Sequence, residues 1–251
     1  MAALTRIPII EDLTSGPVPA GSNILVEYDP ASQWYNASVT IAAGWLKSAE
    51  NRSVHYEAGA QPPDQVRSQL KRLGLDASQL ENTFADAEYE RLQIFDAYTV
   101  SLGQKSKEKH HWDSLKVADI SLIMSREDMR RTPNSEHLMI IDDDSLFARF
   151  NDERAWVELE LTRFFPIAGI RKMIYIAGVM KGVLSDWAYK RLEGACEIVV
   201  DFRLDETSDP PRDLMRIRNA RNVGVDRRWH GLKVGENFEV TLEKEQASHA
   251  K

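Results

Sequence analysis

The sequence predicts an α/β protein in which a mostly parallel central sheet is flanked by helices, with an antiparallel hairpin at the C-terminal end. Short apolar runs alternate with amphipathic stretches along the chain, as expected when strands are connected by helices. The run 138–141 is continuously apolar, which is typical of a parallel strand buried on both faces. Hydrophobic residues make up 43% of the 251 residues, and this fraction is sufficient for a folded core.

The N-terminal half contains three predicted strands and two predicted helices. The first strand is an apolar run, and Asp29-Pro30 supplies the turn after it. Gly74 ends the second helix, at a position that favours a left-handed residue. The predicted elements are a strand at 23–27, a helix at 33–49, a strand at 53–57, a helix from Pro62-Pro63-Asp64 to Leu73, and a strand at 92–96. The charged stretch 104–111, including both of its histidines, is predicted to be an exposed mobile loop.

The C-terminal half continues the alternation of helices and strands. Its predicted elements are helices at 113–130, 152–165 and 186–193, strands at 137–141, 172–179 and 196–202, a polar turn at 206–212, and an antiparallel pair formed by 214–218 and 238–242. Cys196 lies in an apolar run and is predicted to be a buried, inert thiol. We expect a single domain at 1–242, followed by a frayed polar tail at 243–251.

Composition and charge argue against several classes of function. The net charge is −7, which opposes a nucleic-acid partner because phosphate contacts need clustered Lys and Arg. One cysteine cannot form an internal disulfide, so we expect a cytoplasmic protein. No apolar stretch approaches the roughly 20 residues that span a bilayer, and the N-terminus lacks the apolar core of a signal peptide. The six histidines and the cysteine show no metal-ligand spacing.

Several segments match the patterns of one protein family in a fixed order. They are 7–21 (family pattern GIxxLDxLLGGGxPxGS), Val54-His55-Tyr56-Glu57 (YVSFEE), 92–96 (LRIVD), 138–143 (the Walker B strand), 184–192 and 214–232. Together they resemble the KaiC-like branch of the RecA superfamily, which includes archaeal KaiC-like and flagellar accessory ATPases. The resemblance extends over 7–242 and implies a RecA-like sheet with nucleotide at the carboxyl ends of the strands, often between subunits of a ring. It also implies ATP and Mg²⁺ as cofactors.

The resemblance aligns residues 25–36 with the family's phosphate-binding loop, LVSGPPGTGKTT. In that loop, glycines direct backbone N–H groups at the phosphates, the lysine contacts the β and γ phosphates, and a hydroxyl holds Mg²⁺. Here the loop is degenerate, and no G-x-x-x-x-G-K-[ST] motif occurs elsewhere in the chain. Its residues are Tyr28, Asp29, Pro30, Ala31, Ser32, Gln33, Trp34 and Tyr35.

The substitutions in this loop oppose a bound triphosphate. Trp34 stands where the family has its lysine, and Tyr35 stands where it has the hydroxyl. Asp29 adds a negative charge, and two such charges about 4 Å apart repel by roughly 4 kcal/mol at an effective dielectric constant near 20. The two aromatic rings either fill the vacated pocket or stack on a ligand.

Three further positions match catalytic residues of the family, namely Glu57, Asp142 and, in the basic stretch described below, Arg221. Glu57 retains the first of two glutamates that activate water in the family, while Ala58 replaces the second; Glu57 is alternatively a buried hydrogen-bonding residue. Asp142 ends the Walker B strand and is a weak candidate metal ligand. With Asp143 and Asp144 it forms an acidic run that either holds a hard cation or is a solvated loop.

The most basic stretch lies between residues 216 and 228. Arg221 matches an arginine that, in the family, contacts the phosphates of a neighbouring subunit, while Asn219 replaces the neighbouring lysine. The arginines of this stretch are Arg216, Arg218, Arg221, Arg227 and Arg228. We expect one of two roles for them. Either they contact an anionic partner, which is an acidic edge of another subunit such as 142–144 or an anionic ligand, or they form a solvated face.

Three functions are compatible with these residues. The first is a pseudo-ATPase that acts as a non-catalytic regulatory or assembly module through protein partners or self-association, because the fold pattern persists while the nucleotide site has changed. The second is a nucleotide-binding protein or slow ATPase with a non-standard phosphate site. This function is favoured by Glu57, Asp142 and Arg221, which match catalytic residues of the family. The third is a DNA accessory protein similar to RadA paralogues, which the arginines favour and the net charge opposes.

Overall fold

In the computed structural model of the chain, the described residues are 6–81, 90–126 and 136–243, and side chains are described for all of these except 122–126. The strands are β1 (Asn23–Tyr28), β2 (Arg52–Ala58), β3 (Leu92–Asp96), β4 (His110–His111), β5 (Glu136–Ile141), β6 (Ile174–Met180), β7 (Ile198–Asp205), β8 (Arg212–Ala220), β9 (His230–Val234) and β10 (Val240–Leu242). The helices are α1 (Trp34–Ser48), α2 (Pro63–Arg72), α3 (Ala77–Glu81), α4 (Tyr98–Ser101), α5 (Val117–Arg126), α6 (Ser145–Ala148), α7 (Glu153–Leu159), α8 (Phe165–Arg171) and α9 (Asp186–Ala195).

These strands form one sheet in the order β10-β9-β8-β7-β1-β6-β5-β2-β3-β4. The strands from β4 to β7 pair in parallel, and β7 to β10 pair antiparallel. The predicted fold class, a mostly parallel sheet flanked by helices with a C-terminal antiparallel hairpin, is therefore confirmed. No helix among the described residues is long and apolar enough to cross a bilayer.

Local sequence explains where several helices begin and end. The Asp152 carboxylate accepts a hydrogen bond from the Ala155 N–H at 3.1 Å, which caps the start of α7. Ser185 caps α9 in the same way. Gly74 follows α2 with φ of +80°, the left-handed conformation that its position required.

Helices cover both faces of the parallel strands and enclose two apolar clusters. One cluster lies beneath α1 and α2 and contains Trp34 and Trp45. The other lies beneath α6 to α9 and contains Trp156 and Cys196. Cys196 is fully buried, and burial raises the pKa of its thiol, so the predicted inert cysteine is confirmed.

Several predicted boundaries are wrong. The stretches 214–218 and 238–242 do not pair with each other, because β9 lies between β8 and β10. His110 and His111 are half-buried and form a short strand beside β3, since the Phe95 ring stacks on the His110 ring at 5.2 Å.

The predicted helices also differ from the observed ones. The helix predicted at 113–130 begins only at Val117, and residues 127–130 lie outside the described part. The helix predicted to end at 165 continues through a π-helical segment, Glu160–Phe164, into α8. Of the predicted tail, residues 244–251 also lie outside the described part.

Candidate functional site

The candidate site lies at the carboxyl ends of the parallel strands, where open α/β sheets bind their ligands. β1 ends at Tyr28, a short turn follows, and α1 begins at Trp34. The degenerate loop therefore occupies the strand-to-helix connection that the resemblance implied for it.

The backbone of this turn does not form a phosphate cradle. Such a cradle needs residues with positive φ that turn successive N–H groups inward. None of residues 28–35 has positive φ. The turn is instead closed by Ser32, whose backbone N–H and side-chain hydroxyl both donate to the Asp29 carbonyl, at 2.9 and 2.7 Å.

The Trp34 side chain fills the space above the strand ends. It is only 1% exposed, and its indole Nε1 donates a hydrogen bond to the Asp142 carbonyl at 2.7 Å. Its ring packs against Phe202 and Tyr28, with centroids 5.5 and 6.2 Å away. Of the two interpretations of this ring, the structure favours packing into the vacated pocket over stacking on a ligand.

Gly178 in β6 is what permits this packing. A Cβ atom at that position would lie 2.7 Å from Cε2 of Trp34 and 2.8 Å from the Asp142 carbonyl oxygen, well inside van der Waals contact. A glycine inside a strand of bulky apolar residues such as β6 indicates that another group approaches the strand closely at that position. The sequence therefore contained a signal for this contact.

Of the two other substituted positions in the loop, Asp29 has a polar partner and the Tyr35 hydroxyl has none. Asp29 lies 3.3 Å from Lys181 Nζ, so the repulsion expected from its charge is partly compensated. Sequence reasoning missed Lys181, which follows β6 and is far from Asp29 along the chain. Tyr35 is half-buried, its hydroxyl has no hydrogen-bond partner, and burial raises its pKa.

The Asp142 carboxylate fixes the loop after β2. Its Oδ1 accepts hydrogen bonds from the Gly59 and Ala60 N–H groups at 2.7 and 3.0 Å. Its Oδ2 accepts one from the Tyr56 hydroxyl at 3.3 Å. Burial raises the pKa of Asp142 to about 7, although the two backbone donors oppose this shift.

The acidic run after β5 is not a solvated loop, and that interpretation is wrong. Asp142 and Asp144 are each only 1% exposed. Within the described ranges, no group of three His, Cys, Asp or Glu side chains is arranged to hold a metal ion. The Asp142 carboxylate accepts its hydrogen bonds from Gly59, Ala60 and Tyr56, and neither Asp142 nor Asp144 presents an exposed acidic edge to another subunit.

Glu57 is a buried hydrogen-bonding residue, as one of the two interpretations predicted. Its side chain is fully buried, and its Oε1 accepts a hydrogen bond from Trp112 Nε1 at 2.8 Å. Burial raises its pKa well above the ordinary range, and nearby Asp144 and Asp142 act in the same direction. Sealed beneath Trp112, Glu57 has no exposed position from which to activate a water molecule.

Arg221 lies far from the other two family-equivalent positions. It follows β8 beside the N-terminal end of β7, whereas Asp142 follows the C-terminal end of β5. Its Nη2 donates to the Gly194 carbonyl at 2.5 Å. The sheet thus separates Arg221 from Glu57 and Asp142 instead of bringing the three together.

Three other arginines of the basic stretch form ion pairs within this chain. Arg216 pairs with Asp201 at 2.8 Å. Arg218 bridges Glu27 and Glu193 at 2.7 and 2.6 Å. Arg228 pairs with Asp226 at 2.7 Å. These arginines are accordingly less available to another subunit or to an anionic ligand than their number suggested.

Glu27 was not identified as notable in the sequence. It lies beside a cleft of about 390 Å³ that is also lined by Lys181 and by one face of α9. Burial and the neighbouring Glu193 raise its pKa to about 7, against the effect of Arg218.

MgATP does not fit the residues present at this edge of the sheet. The glycine cradle is absent from residues 28–35, and an indole stands in place of the lysine ammonium. The Asp142 carboxylate is occupied by backbone and tyrosine donors. No catalytic step through a nucleotide follows from this geometry.

No family model and no curated protein matches this sequence. A solved KaiC-like protein from the hyperthermophilic archaeon Pyrococcus horikoshii OT3 is 17% identical with a TM-score of 0.65, covering 96% of this chain and 97% of that one. The flagellar accessory protein FlaH from Methanocaldococcus jannaschii is 16% identical with a TM-score of 0.70, covering 96% and 99%. The chain therefore has the RecA-like fold of KaiC-like proteins, as the sequence resemblance predicted.

Proposed function

We propose that the chain is a RecA-fold pseudo-ATPase, a non-catalytic cytoplasmic module that acts in regulation or assembly through protein contacts. The observation that carries this proposal is the Trp34 indole, buried at the strand ends and hydrogen-bonded to the Asp142 carbonyl. A nucleotide phosphate in the family's pose needs that space.

The energetic cost of emptying this space supports the proposal. Removing a buried tryptophan side chain from a core costs about 3–5 kcal/mol, and its hydrogen bond contributes about another 1 kcal/mol. A triphosphate would have to offset this loss without a lysine and without positive-φ N–H groups. ATP binding in the family's pose is therefore unfavourable.

Exposed apolar side chains support a role in protein contacts. Ile170 in α8 is 81% exposed, and Val183 and Trp187 beside the start of α9 are 43% and 37% exposed. A contiguous exposed apolar patch favours contact with another protein surface, and the Ile170→Lys variant below tests whether Ile170 belongs to such a contact. We include self-association among these contacts, because the family that the sequence resembles often binds nucleotide between subunits of a ring.

A phosphate-release assay with ATP and Mg²⁺ tests the absence of catalysis. We expect no release above background from the wild type or from Trp34→Ala. Trp187→Ala is the matched control, because it removes a tryptophan that is partly exposed and contacts Arg154 instead of Asp142. ATP hydrolysis by the wild type that Trp34→Ala abolishes and Trp187→Ala retains would contradict the proposal.

Light scattering tests the assembly role separately. We expect a mass above that of one chain, and an Ile170→Lys variant with a lower mass and an unchanged circular-dichroism spectrum. A monomer at all concentrations would remove self-association and leave only contacts with other proteins.

A further inference from the structure

Three buried carboxylic acids lie on the face of the sheet opposite α1. They are Glu57 in β2, Asp144 in the turn after β5, and Glu160 at the start of the π-helical segment, and we call them the carboxyl cluster. Each is at most 1% exposed. The Tyr175 hydroxyl donates to Glu160 Oε2 at 3.0 Å. A π-helical segment is a local irregularity that often marks a functional position.

The cluster contains polar atoms without hydrogen-bond partners. These are Glu57 Oε2, both oxygens of Asp144, and Glu160 Oε1. The indole Nε1 of Trp156 is also buried and unpartnered, and it lies close enough to Asp144 to lower the pKa of that acid. This indole N–H is therefore a donor that faces the carboxyl group of Asp144.

Among the described side chains, no lysine, arginine or histidine is a cause of the pKa shift of any member of the carboxyl cluster. The titratable groups that act on the cluster from the surrounding elements are Asp142 and Asp143 in the turn after β5, Tyr175 in β6, and Cys196 before β7. None of these is a base, so an ionised cluster would be an uncompensated buried charge.

Burial is the largest cause of the raised pKa of each of the three acids. Neighbouring acids raise the values further, and the Tyr175, Trp112 and Trp156 donors only partly oppose them. The folded chain therefore binds more protons than the unfolded chain above the ordinary carboxyl range. Since protons are bound preferentially by the folded state, its stability falls as pH rises.

The cluster is mechanically connected to Trp34 through the turn 142–144. The Asp144 N–H donates to the Gly178 carbonyl at 2.7 Å, and the Asp144 side chain enters the cluster. Two residues earlier, the Asp142 carbonyl accepts the Trp34 hydrogen bond on the other face of the sheet. A movement of Asp144 away from its acidic neighbours would displace the acceptor that holds the indole.

We propose that protonation of the carboxyl cluster holds the turn 142–144 in place and thereby keeps the Trp34 indole over the strand ends. Loss of these protons places like charges together beneath the turn, which then moves and releases Trp34. This proposal rests on the proposed function, in which Trp34 blocks the nucleotide pose.

The emission of Trp34 as pH rises tests the proposal. The contribution of Trp34 is the difference between the spectra of the wild type and Trp34→Phe at each pH. As the pH rises above the ordinary carboxyl range, we expect a red shift and greater quenching by acrylamide as the indole becomes exposed. Glu160→Gln removes one ionisable group and its repulsion on the other two acids, so its shift should be smaller and should occur at lower pH.

Glu158→Gln is the matched control for Glu160→Gln. Glu158 lies in α7, is half exposed, and pairs with Arg191 at 3.1 Å, so its replacement should leave the Trp34 titration unchanged. Asp144→Asn serves as the second neutral variant where Glu160→Gln does not fold. A wild-type Trp34 emission that does not change with pH overturns the proposal, and so do identical titrations of the wild type and the neutral variants.

ATP binding at the same pH values separates the two proposals. Constant Trp34 emission without ATP binding at any pH refutes only the proton-dependent hold on Trp34. Saturable ATP binding at neutral pH, with Trp34 still buried, refutes the proposed function itself.

Discussion

Replacing Gly178 by alanine is expected to overpack the space between β6, Trp34 and the turn after β5. The added Cβ would lie 2.7 Å from Cε2 of Trp34 and 2.8 Å from the Asp142 carbonyl oxygen. The carbonyl belongs to the end of a central strand, and the indole is held by that carbonyl and by two aromatic neighbours. The side chain and the turn therefore cannot both keep their positions.

The magnitude follows from the two ways in which the protein can respond. Overpacking with local adjustment costs about 1–3 kcal/mol. Expelling the indole costs about 3–5 kcal/mol of lost burial and about 1 kcal/mol for its hydrogen bond. The less costly response prevails, so we expect Gly178→Ala to lower the free energy of unfolding by roughly 3 kcal/mol, the upper end of the overpacking range.

Urea denaturation followed by circular dichroism measures this loss. Gly194→Ala is the matched control, because Gly194 lies in α9 with nothing within 4 Å of the added Cβ, and it should stabilise by about 0.5–1 kcal/mol. In the double variant Trp34→Ala/Gly178→Ala the costs should be non-additive by about 1–3 kcal/mol, because the smaller side chain makes room. A loss below about 0.5 kcal/mol, the size of an ordinary surface change, would refute the packing argument.

The remaining predictions concern pH, an ion pair and the thiol. The pKa of Asp142 is raised to about 7 in the folded state, so the folded chain holds this proton more tightly than the unfolded chain. The free energy of unfolding should therefore fall as the pH rises from about 4 to about 7, by up to roughly 4 kcal/mol from this group. Urea titrations at several pH values should show a flatter slope for Asp142→Asn. Arg218→Ala leaves Glu27 and Glu193 facing each other, and because Arg218 is about one-third exposed we expect a loss of only about 1 kcal/mol at pH 8. That loss should shrink at pH 5, where the raised pKa of Glu27 keeps this acid neutral, and an equal loss at both pH values would contradict the argument. Cys196, buried with a raised thiol pKa, should resist alkylation by iodoacetamide until the chain unfolds, which mass spectrometry can follow.

The order of strands and helices could be predicted because burial patterns along the chain are local. Continuous apolar runs marked β1, β5 and β6, and Gly74 marked the end of α2. The strand β9 escaped prediction because its five residues, HGLKV, alternate weakly and include a charged residue. Phe238 was assigned to a strand, but its φ of +63° places it in a turn before β10.

The site could be predicted only in part, because its decisive contacts join residues that are distant in sequence. The loss of the phosphate cradle was visible in residues 28–35. The Trp34 contact with Asp142, separated by 108 positions, was not. The burial of the acidic run was also missed, because three consecutive aspartates in isolation favour solvent. Only the sheet, which places β5 between β6 and β2, carries them inside.

Titration of the purified protein with ATP and Mg²⁺, monitored by its unfolding midpoint, tests the central claim most directly. We expect an unchanged midpoint up to millimolar nucleotide, because Trp34 stands in place of the family's phosphate-contacting lysine and residues 28–35 form no cradle. Binding at 100 times the dissociation constant would stabilise the folded state by about 2.7 kcal/mol. A saturable rise in the midpoint that Trp34→Ala alters and Trp187→Ala does not would contradict the account.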